Sequence, residues 1–251
     1  MLSDLFGGKK VFDNPKPISV LSRLAEYVTK REDLVLDFFS GSSSTAHAVM
    51  KLNTEDGGNR KFIMVQLPEE TANDSEAYKA GYKNICEIGK ERIRRAGKKI
   101  KEEHPNAKDL DVGFRVFKCD ESNYKEVALA PKDYDQGQLE LLVDNIKDGR
   151  SDLDLLFDCM LRWGVTLDLP MSKTEVDGCT IHNVNDGGLV ACFDGKVTER
   201  VIEAIAEMYP AKVVFRDSSF EEAAQKMNLF EMFKQKCNWT DQEVRNNVKV
   251  I

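Results

Sequence analysis

The sequence predicts an α/β chain in two parts, residues 1–105 and 106–251, the second the smaller in structural content and α/β or α+β in type. Three observations predict it. Short apolar runs of strand length alternate with segments whose apolar residues recur at helical spacing. A polar stretch from Glu102 to Gly113, with His104-Pro105-Asn106 inside it, interrupts that periodicity and reads as a linker. The charge balance changes at the same place: residues 1–110 hold 19 basic and 17 acidic side chains, whereas residues 111–251 hold 17 and 26. The 251 residues are enough for two domains with cores of their own.

The elements follow in order. Pro17 suits the start of a helix, and Ile18, Leu21, Leu24, Ala25 and Val28 continue it to about Thr29 with an apolar face for a sheet. Asp33 to Phe39 is a near-continuous apolar run, as expected of a parallel strand buried on both faces. Ser40-Gly41-Ser42-Ser43-Ser44-Thr45 turns the chain into a helix carrying Ala46, Ala48, Val49 and Leu52, and Lys61 to Leu67 reads as a second strand, closing a β-α-β unit. A long helix is predicted over Ala80 to Lys101, although Gly89 and Gly97 each cost about 1 kcal/mol inside it. Beyond the linker, a strand is predicted at Phe114 to Phe117, helices at Leu139 to Ile146 and Leu153 to Leu161, and a hairpin over Gly178 to Phe193 around Asn185-Asp186-Gly187-Gly188. A helix at Thr198 to Met208, a strand at Lys212 to Phe215 and a helix at Ser219 to Phe233 complete the pattern.

Composition narrows the function. A net charge of -7 argues against an indiscriminate nucleic-acid binder. No run approaches the roughly 18 apolar residues of a membrane helix, and the amino terminus lacks a secretion signal, so no membrane association and a cytoplasmic location are expected. The six cysteines, Cys86, Cys119, Cys159, Cys179, Cys192 and Cys237, read as small core residues. Cys179 and His182 have a ligand-like spacing but no second pair, so no metal is expected.

A strand that passes through Ser40-Gly41-Ser42 into a helix sets free backbone N–H groups over the carboxyl edge of a sheet, where α/β proteins bind ligands. Asp37 would repel a phosphate there but can accept hydrogen bonds from an ammonium group or hydroxyls. Neither a phosphate loop nor a dinucleotide fingerprint is present, and the turn by itself fits an incidental tight turn as well as a ligand site. Three ordered segments decide between them: Asp13-Asn14-Pro15-Lys16-Pro17; Leu36-Asp37-Phe38-Phe39-Ser40-Gly41-Ser42-Ser43-Ser44-Thr45; and Lys61-Phe62-Ile63-Met64-Val65-Gln66-Leu67-Pro68. Together they resemble the amino-methylating DNA methyltransferases in their permuted (beta-class) motif order, most closely the carboxyl-terminal part of the modification subunit of type III restriction-modification systems. The ending Val244 to Ile251 resembles the same family.

The resemblance implies a partial Rossmann-like methyltransferase sheet in residues 1–105, followed by an assembly domain. It implies S-adenosylmethionine as cofactor, held by Asn14, Lys16, Asp37, Phe39, Ser40, Gly41, Ser42, Ser43, Thr45 and Gln66. Asp37 and the turn would take the methionine moiety, Lys16 its carboxylate, and Gln66 the ribose. Ser43 stands where the family usually has glycine, and Gln66 where many relatives have an acid. The implied substrate is DNA adenine, methylated at N6. The implied partners are DNA, an amino-terminal methyltransferase half or second modification subunit, and a restriction helicase-nuclease. The family's Asp/Asn-Pro-Pro-Tyr/Phe catalytic loop does not occur in the 251 residues. No catalytic residue is therefore assigned, and the chain alone is expected not to methylate DNA. A non-catalytic binding or assembly module on the same scaffold is the alternative.

The basic row from Lys90 to Lys101, represented by Arg92, Arg95 and Lys99, reads either as a DNA-phosphate contact or as a solvated helix face. His47 reads as a packed residue rather than a base, His104 lies in the linker, His182 is structural, and Trp163 and Trp239 are core or interface anchors.

Overall fold

The computed structural model describes residues 2–106, 110–125, 145–220 and 223–251. The chain divides into two compact units, Met1–Val116 and Phe117–Ile251, a later boundary than residue 105.

In the first unit the order is α1 (Leu2–Leu5), α2 (Ile18–Val28), β1 (Leu34–Phe38), α3 (Ser44–Asp56), β2 (Lys61–Val65), α4 (Glu76–Lys79) and α5 (Ile85–Glu103). β1 and β2 pair in parallel, with Asp37 opposite Met64 and Phe38 opposite Val65. One face of this pair is covered: Phe62 and Met64 pack on Ala46 and Met50 of α3 and on Ile93, Ala96 and Ile100 of α5. Gly97 serves that packing, since a β-carbon there would come within 2.9 Å of Val112 Cβ. Arg60, 5% exposed, ties the base of the unit together. Its guanidinium meets Asp56 at 2.9 Å and Thr29 Oγ1 at 2.8 Å, which joins the ends of α2 and α3 to the start of β2.

The other face of the β1–β2 pair is open. Leu34, Leu36 and Phe38 are 58, 60 and 66% exposed, and the register sets Ile63 beside Leu36 on the same side. This corrects the expectation that β1 is buried on both faces. The α2 face differs likewise. α2 packs on α3 through its small residues, Ser22 and Ala25, with Ser22 Oγ donating to the Ala48 carbonyl at 3.3 Å. Leu24 and Val28, predicted to face the sheet, point outward with Val20 and Tyr27.

The second unit contains α6 (Asp152–Arg162), β3 (Met171–Val176), β4 (Cys179–Val184), β5 (Leu189–Cys192), α7 (Glu199–Ala206), β6 (Val213–Phe215), α8 (Ala223–Lys236), α9 (Asp241–Asn247) and β7 (Val248–Val250). The five strands form one sheet in sequence order, antiparallel from β3 to β5 and parallel from β5 to β7. Both faces are covered. Leu155, Leu156, Cys159 and Met160 of α6 pack on Val184, Leu189, Ala191 and Val214. On the opposite face Val201, Ile202 and Ile205 of α7 and Leu229 and Phe233 of α8 meet Ile181, Val190, Val213 and Phe215. The unit is α/β and, at Phe117–Ile251, is not the smaller of the two.

Further expectations change here. Phe114 to Phe117 forms no strand; Phe114 instead packs into the first unit's core, 5.6 Å below the Arg94 guanidinium. β3 was not predicted, although Asp177-Gly178 (φ 50° and 79°) is a two-residue hairpin turn of the same kind as the predicted Asn185 to Gly188 turn. The α9–β7 ending was also missed, being two short elements. The helix expected at Leu139 to Ile146 falls almost wholly outside the described residues. Among the described residues no helix is long and apolar enough to cross a membrane.

Because the open face of β1 touches little, Leu34→Lys and Leu36→Lys should each change the urea-unfolding free energy by no more than about 0.5 kcal/mol. A loss of about 2 kcal/mol or more at Leu36 would show that the face is covered in solution.

Candidate functional site

β1 ends at Phe38, and the chain turns through Phe39 to Ser43 before α3 begins. Three backbone features shape the turn: Ser40 N–H donates to the Val65 carbonyl at 3.0 Å, Ser43 N–H to the Ser40 carbonyl at 2.8 Å, and Gly41 and Ser43 take positive φ (51° and 56°). Ser43 is thus a side-chain-bearing residue in the left-handed region, at a cost of about 1–2 kcal/mol relative to glycine. That is the physical reason a glycine suits this position.

α5 lies directly beneath the turn. A β-carbon at Gly89 would sit 2.6 Å from Ser43 Oγ, so glycine there sets the distance between helix and loop. One turn further on, Arg92 reaches up. Its Nη1 donates to the Ser42 carbonyl at 3.3 Å, Ser42 Oγ at 2.8 Å and Ser44 Oγ at 2.6 Å, and it is 1% exposed. Arg92 was singled out from sequence for DNA phosphate, and the structure corrects this: its guanidinium serves the loop and cannot reach a solvent-side ligand. Arg95 is also engaged, donating from Nε to Glu91 at 2.6 Å and from Nη1 to the Leu5 carbonyl at 2.9 Å, over the Phe6 ring. Lys99 is 3.7 Å from Glu103. The basic row is largely an ion-paired helix face.

Above the turn lies a cavity of about 670 Å³, within the usual size of a small-molecule site. Asn14, Lys16, Asp37, Phe39, Ser40, Gly41, Ser42 and Thr45 line it, so the structure brings two of the three predicted segments to one place. Asp37 Oδ2 accepts from Thr45 Oγ1 at 2.5 Å, which anchors one carboxylate oxygen. Ser43 and Gln66 do not line the cavity. Gln66 Oε1 accepts the Gly41 N–H at 2.6 Å, so the residue expected at the ribose braces the loop instead. The far wall was not foreseen: Thr71, Ala72 and Ser75 close it. That segment is held to the start of α5 by Thr71 Oγ1 to the Tyr82 carbonyl (2.6 Å) and Ile85 N–H to the Glu69 carbonyl (2.9 Å). It has no helical or strand periodicity, and the Thr71 N–H donating to the Lys83 carbonyl at 3.0 Å adds to these folded-back contacts.

The cavity is lined by groups of both signs. Asp37 supplies an anion at the strand end; Lys16, the amino end of α3 and Arg92 behind the serines supply the positive side. This suits a ligand carrying both an ammonium and a carboxylate. Arg92 Nε is buried beneath the loop with no hydrogen-bond partner. His47 is on α3 but does not line the cavity. Burial, with Arg92 and Lys99 nearby, pulls its pKa down to about 4, so it stays neutral.

In the second unit Cys179 and His182 do not form a ligand pair. His182 Nε2 lies 3.1 Å from Asp152, and Cys179 instead gathers with Cys192 and Asp194, ligand atoms within 4.8 Å of one another. Burial raises the Cys192 thiol to about 12 and also raises that of Cys179, which keeps both as neutral core thiols.

Two outcomes test this geometry. Gly89→Ala should destabilise the chain, and Ser43→Gly should relieve most of that loss, a coupling of about 1 kcal/mol or more in a double-mutant cycle. Additive effects would contradict the contact. The His47 titration has a defined sign: between pH 6.5 and 4 the unfolded chain holds a proton that the folded chain lacks. Stability should therefore fall as pH drops through that window, by at most about 3 kcal/mol, and His47→Gln should flatten that part of the profile. An unchanged slope in the variant would count against it.

Residues 3–98 match the DNA methylase family. The StyLTI Mod subunit of a type III restriction-modification enzyme from Salmonella typhimurium is 46% identical over 115 residues, 46% of this chain and 17% of that protein. The EcoPI Mod subunit of Escherichia phage P1 is 32% identical over 243 residues, 92% of this chain and 36% of that protein. The type II methyltransferase M.KpnI of Klebsiella pneumoniae is 41% identical over 81 residues, 32% of this chain and 19% of that protein. The chain thus spans 17 to 36% of the length of the Mod subunits it matches. With a DNA methylase-family segment over the cavity-bearing unit and alignment along nine-tenths of its length, the chain is similar to the modification subunits of type III restriction-modification enzymes.

Proposed function

We propose that this chain is the S-adenosylmethionine-binding and assembly portion of a type III DNA adenine-N6 methyltransferase, with binding in Met1–Val116 and assembly contacts in Phe117–Ile251. The observation that carries the reading is the cavity in which Asn14 and Lys16 face the Asp37-to-Thr45 turn. Asp37 has one carboxylate oxygen anchored by Thr45, and the other is left to accept from the ammonium of the methionine moiety. Lys16 and the amino end of α3 attract its carboxylate. Gln66 and Gly89 keep the loop at its place. When bound, the cofactor supplies an electrophilic sulfonium methyl.

The Asp/Asn-Pro-Pro-Tyr/Phe loop that would hold a flipped adenine does not occur in the 251 residues. The open face of β1 fits this division of labour. A parallel sheet of this kind is ordinarily covered on both faces, so Leu34, Leu36, Phe38 and the outer side of α2 await the rest of a methyltransferase sheet, from an amino-terminal half or a second modification subunit. DNA and a restriction helicase-nuclease are the further partners, and a cytoplasmic location follows. The same open face favours the alternative, a scaffold that assembles without binding cofactor.

Calorimetric titration separates the two. S-adenosylmethionine should bind the pure chain, Asp37→Ala should weaken binding about tenfold or more, and no labelled methyl should reach DNA. No heat, or equal heat from the variant, would contradict the cofactor reading, and methyl transfer by the pure chain would contradict the division of labour.

A further inference from the structure

The environment of Arg92 is unusual for a buried cation. Its guanidinium has only neutral hydrogen-bond partners, the Ser42 carbonyl and the Ser42 and Ser44 hydroxyls, and Nε has none. Among the described residues no carboxylate lies within ion-pairing distance of it. A cation removed from water without a counter-charge is strongly disfavoured. Burial has already pulled its pKa down to about 10, which leaves it charged at neutral pH.

The serines carry the effect of that charge upward. A hydroxyl that accepts a hydrogen bond from a cation gives its own hydrogen to another acceptor. Ser42 Oγ and Ser44 Oγ are 3.5 Å apart, so at most one of the two hydrogens is used between them. Both serines line the cavity, at the start of the 13-residue α3. The buried cation and the polarised hydroxyls favour an anion beside the two serines, while Asp37 is held by Thr45 Oγ1 in the first turn of α3. Lys16, by contrast, is exposed, and its charge is screened by water.

We propose that Arg92 is the positioning residue that makes this loop select a carboxylate-bearing ligand, by holding and polarising the Ser42 and Ser44 hydroxyls. The proposal rests on the cofactor reading above and deepens it: the carboxylate of the amino-acid end is recognised through Arg92 and the two serines, more than through Lys16.

Calorimetry on the whole chain tests it with two probes, S-adenosylmethionine and its decarboxylated form, which keeps the sulfonium and the ammonium. The wild-type chain should prefer the carboxylate form. Arg92→Met should lose about tenfold or more for that form and less than about threefold for the decarboxylated one, with Arg92→Lys recovering part of the loss. Arg92 also braces the loop, so Ser42→Ala/Ser44→Ala, which keeps the charge and removes the donors, supplies a second measurement with the same selective loss expected. Parallel losses for both probes, in either variant, would reduce Arg92 to a structural brace and overturn the proposal. Equal wild-type affinity for the two probes would overturn it while leaving the cofactor reading intact. Wild-type binding of neither would overturn both.

Discussion

The seating of the Ser40-to-Ser44 loop on α5 is the constraint on which the rest of the first unit depends. Two features of one helix produce it. Gly89 lets the helix approach until Ser43 Oγ would touch a β-carbon, and Arg92 then fixes Ser42 and Ser44 from below. From the other side Gln66, at the end of β2, takes the Gly41 N–H. The loop is therefore held by a helix and by the strand beside it, which places Asp37, the serines and Thr45 around one cavity. A shift of α5 by the width of one methyl group would disturb every one of these contacts.

The two sheets of the chain solve burial differently. In the second unit helices cover both faces, and Val190, Val213, Val214 and Phe215 are fully buried. In the first unit β1 carries almost as apolar a sequence, yet every second residue faces water. Val20, Leu24 and Tyr27 of α2 are exposed as well, and large exposed apolar patches are characteristic of interaction surfaces. The Mod subunits to which this chain aligns are a little under three times as long, since 243 aligned residues make up 36% of one and 115 make up 17% of the other, which is consistent with a scaffold that other parts of a methyltransferase complete.

How much of this could be read beforehand depended on the range of the interaction. The β-α-β unit, the α5 helix and the Asn185 hairpin were legible because periodicity and turn residues are local signals. The cavity's near wall was legible because its residues lie in two compact segments. Burial on both faces of β1 was misread because an apolar run states what a strand prefers, not what covers it. Arg92 was misread for a related reason. In a row of seven basic residues nothing local separates the one that points inward, and only the partner loop, some 50 residues earlier, identifies it. Gly89 was visible as a defect in a helix; its purpose appears only with Ser43 opposite. The Thr71 to Ser75 wall carried only the local signal of Ser75 as a helix cap, because contacts of Thr71 to the segment before α5 place the rest.

The central claim is that the loop on α5 is a preformed binding site for S-adenosylmethionine in this chain alone. Hydrogen exchange measured with and without saturating S-adenosylmethionine tests it most directly, since it reports where a ligand acts. The expected result is new protection confined to residues 14–17, 37–48 and 71–77, with the second unit unchanged. Exchange that is the same at every peptide, or protection that falls elsewhere than at this loop, would contradict the claim.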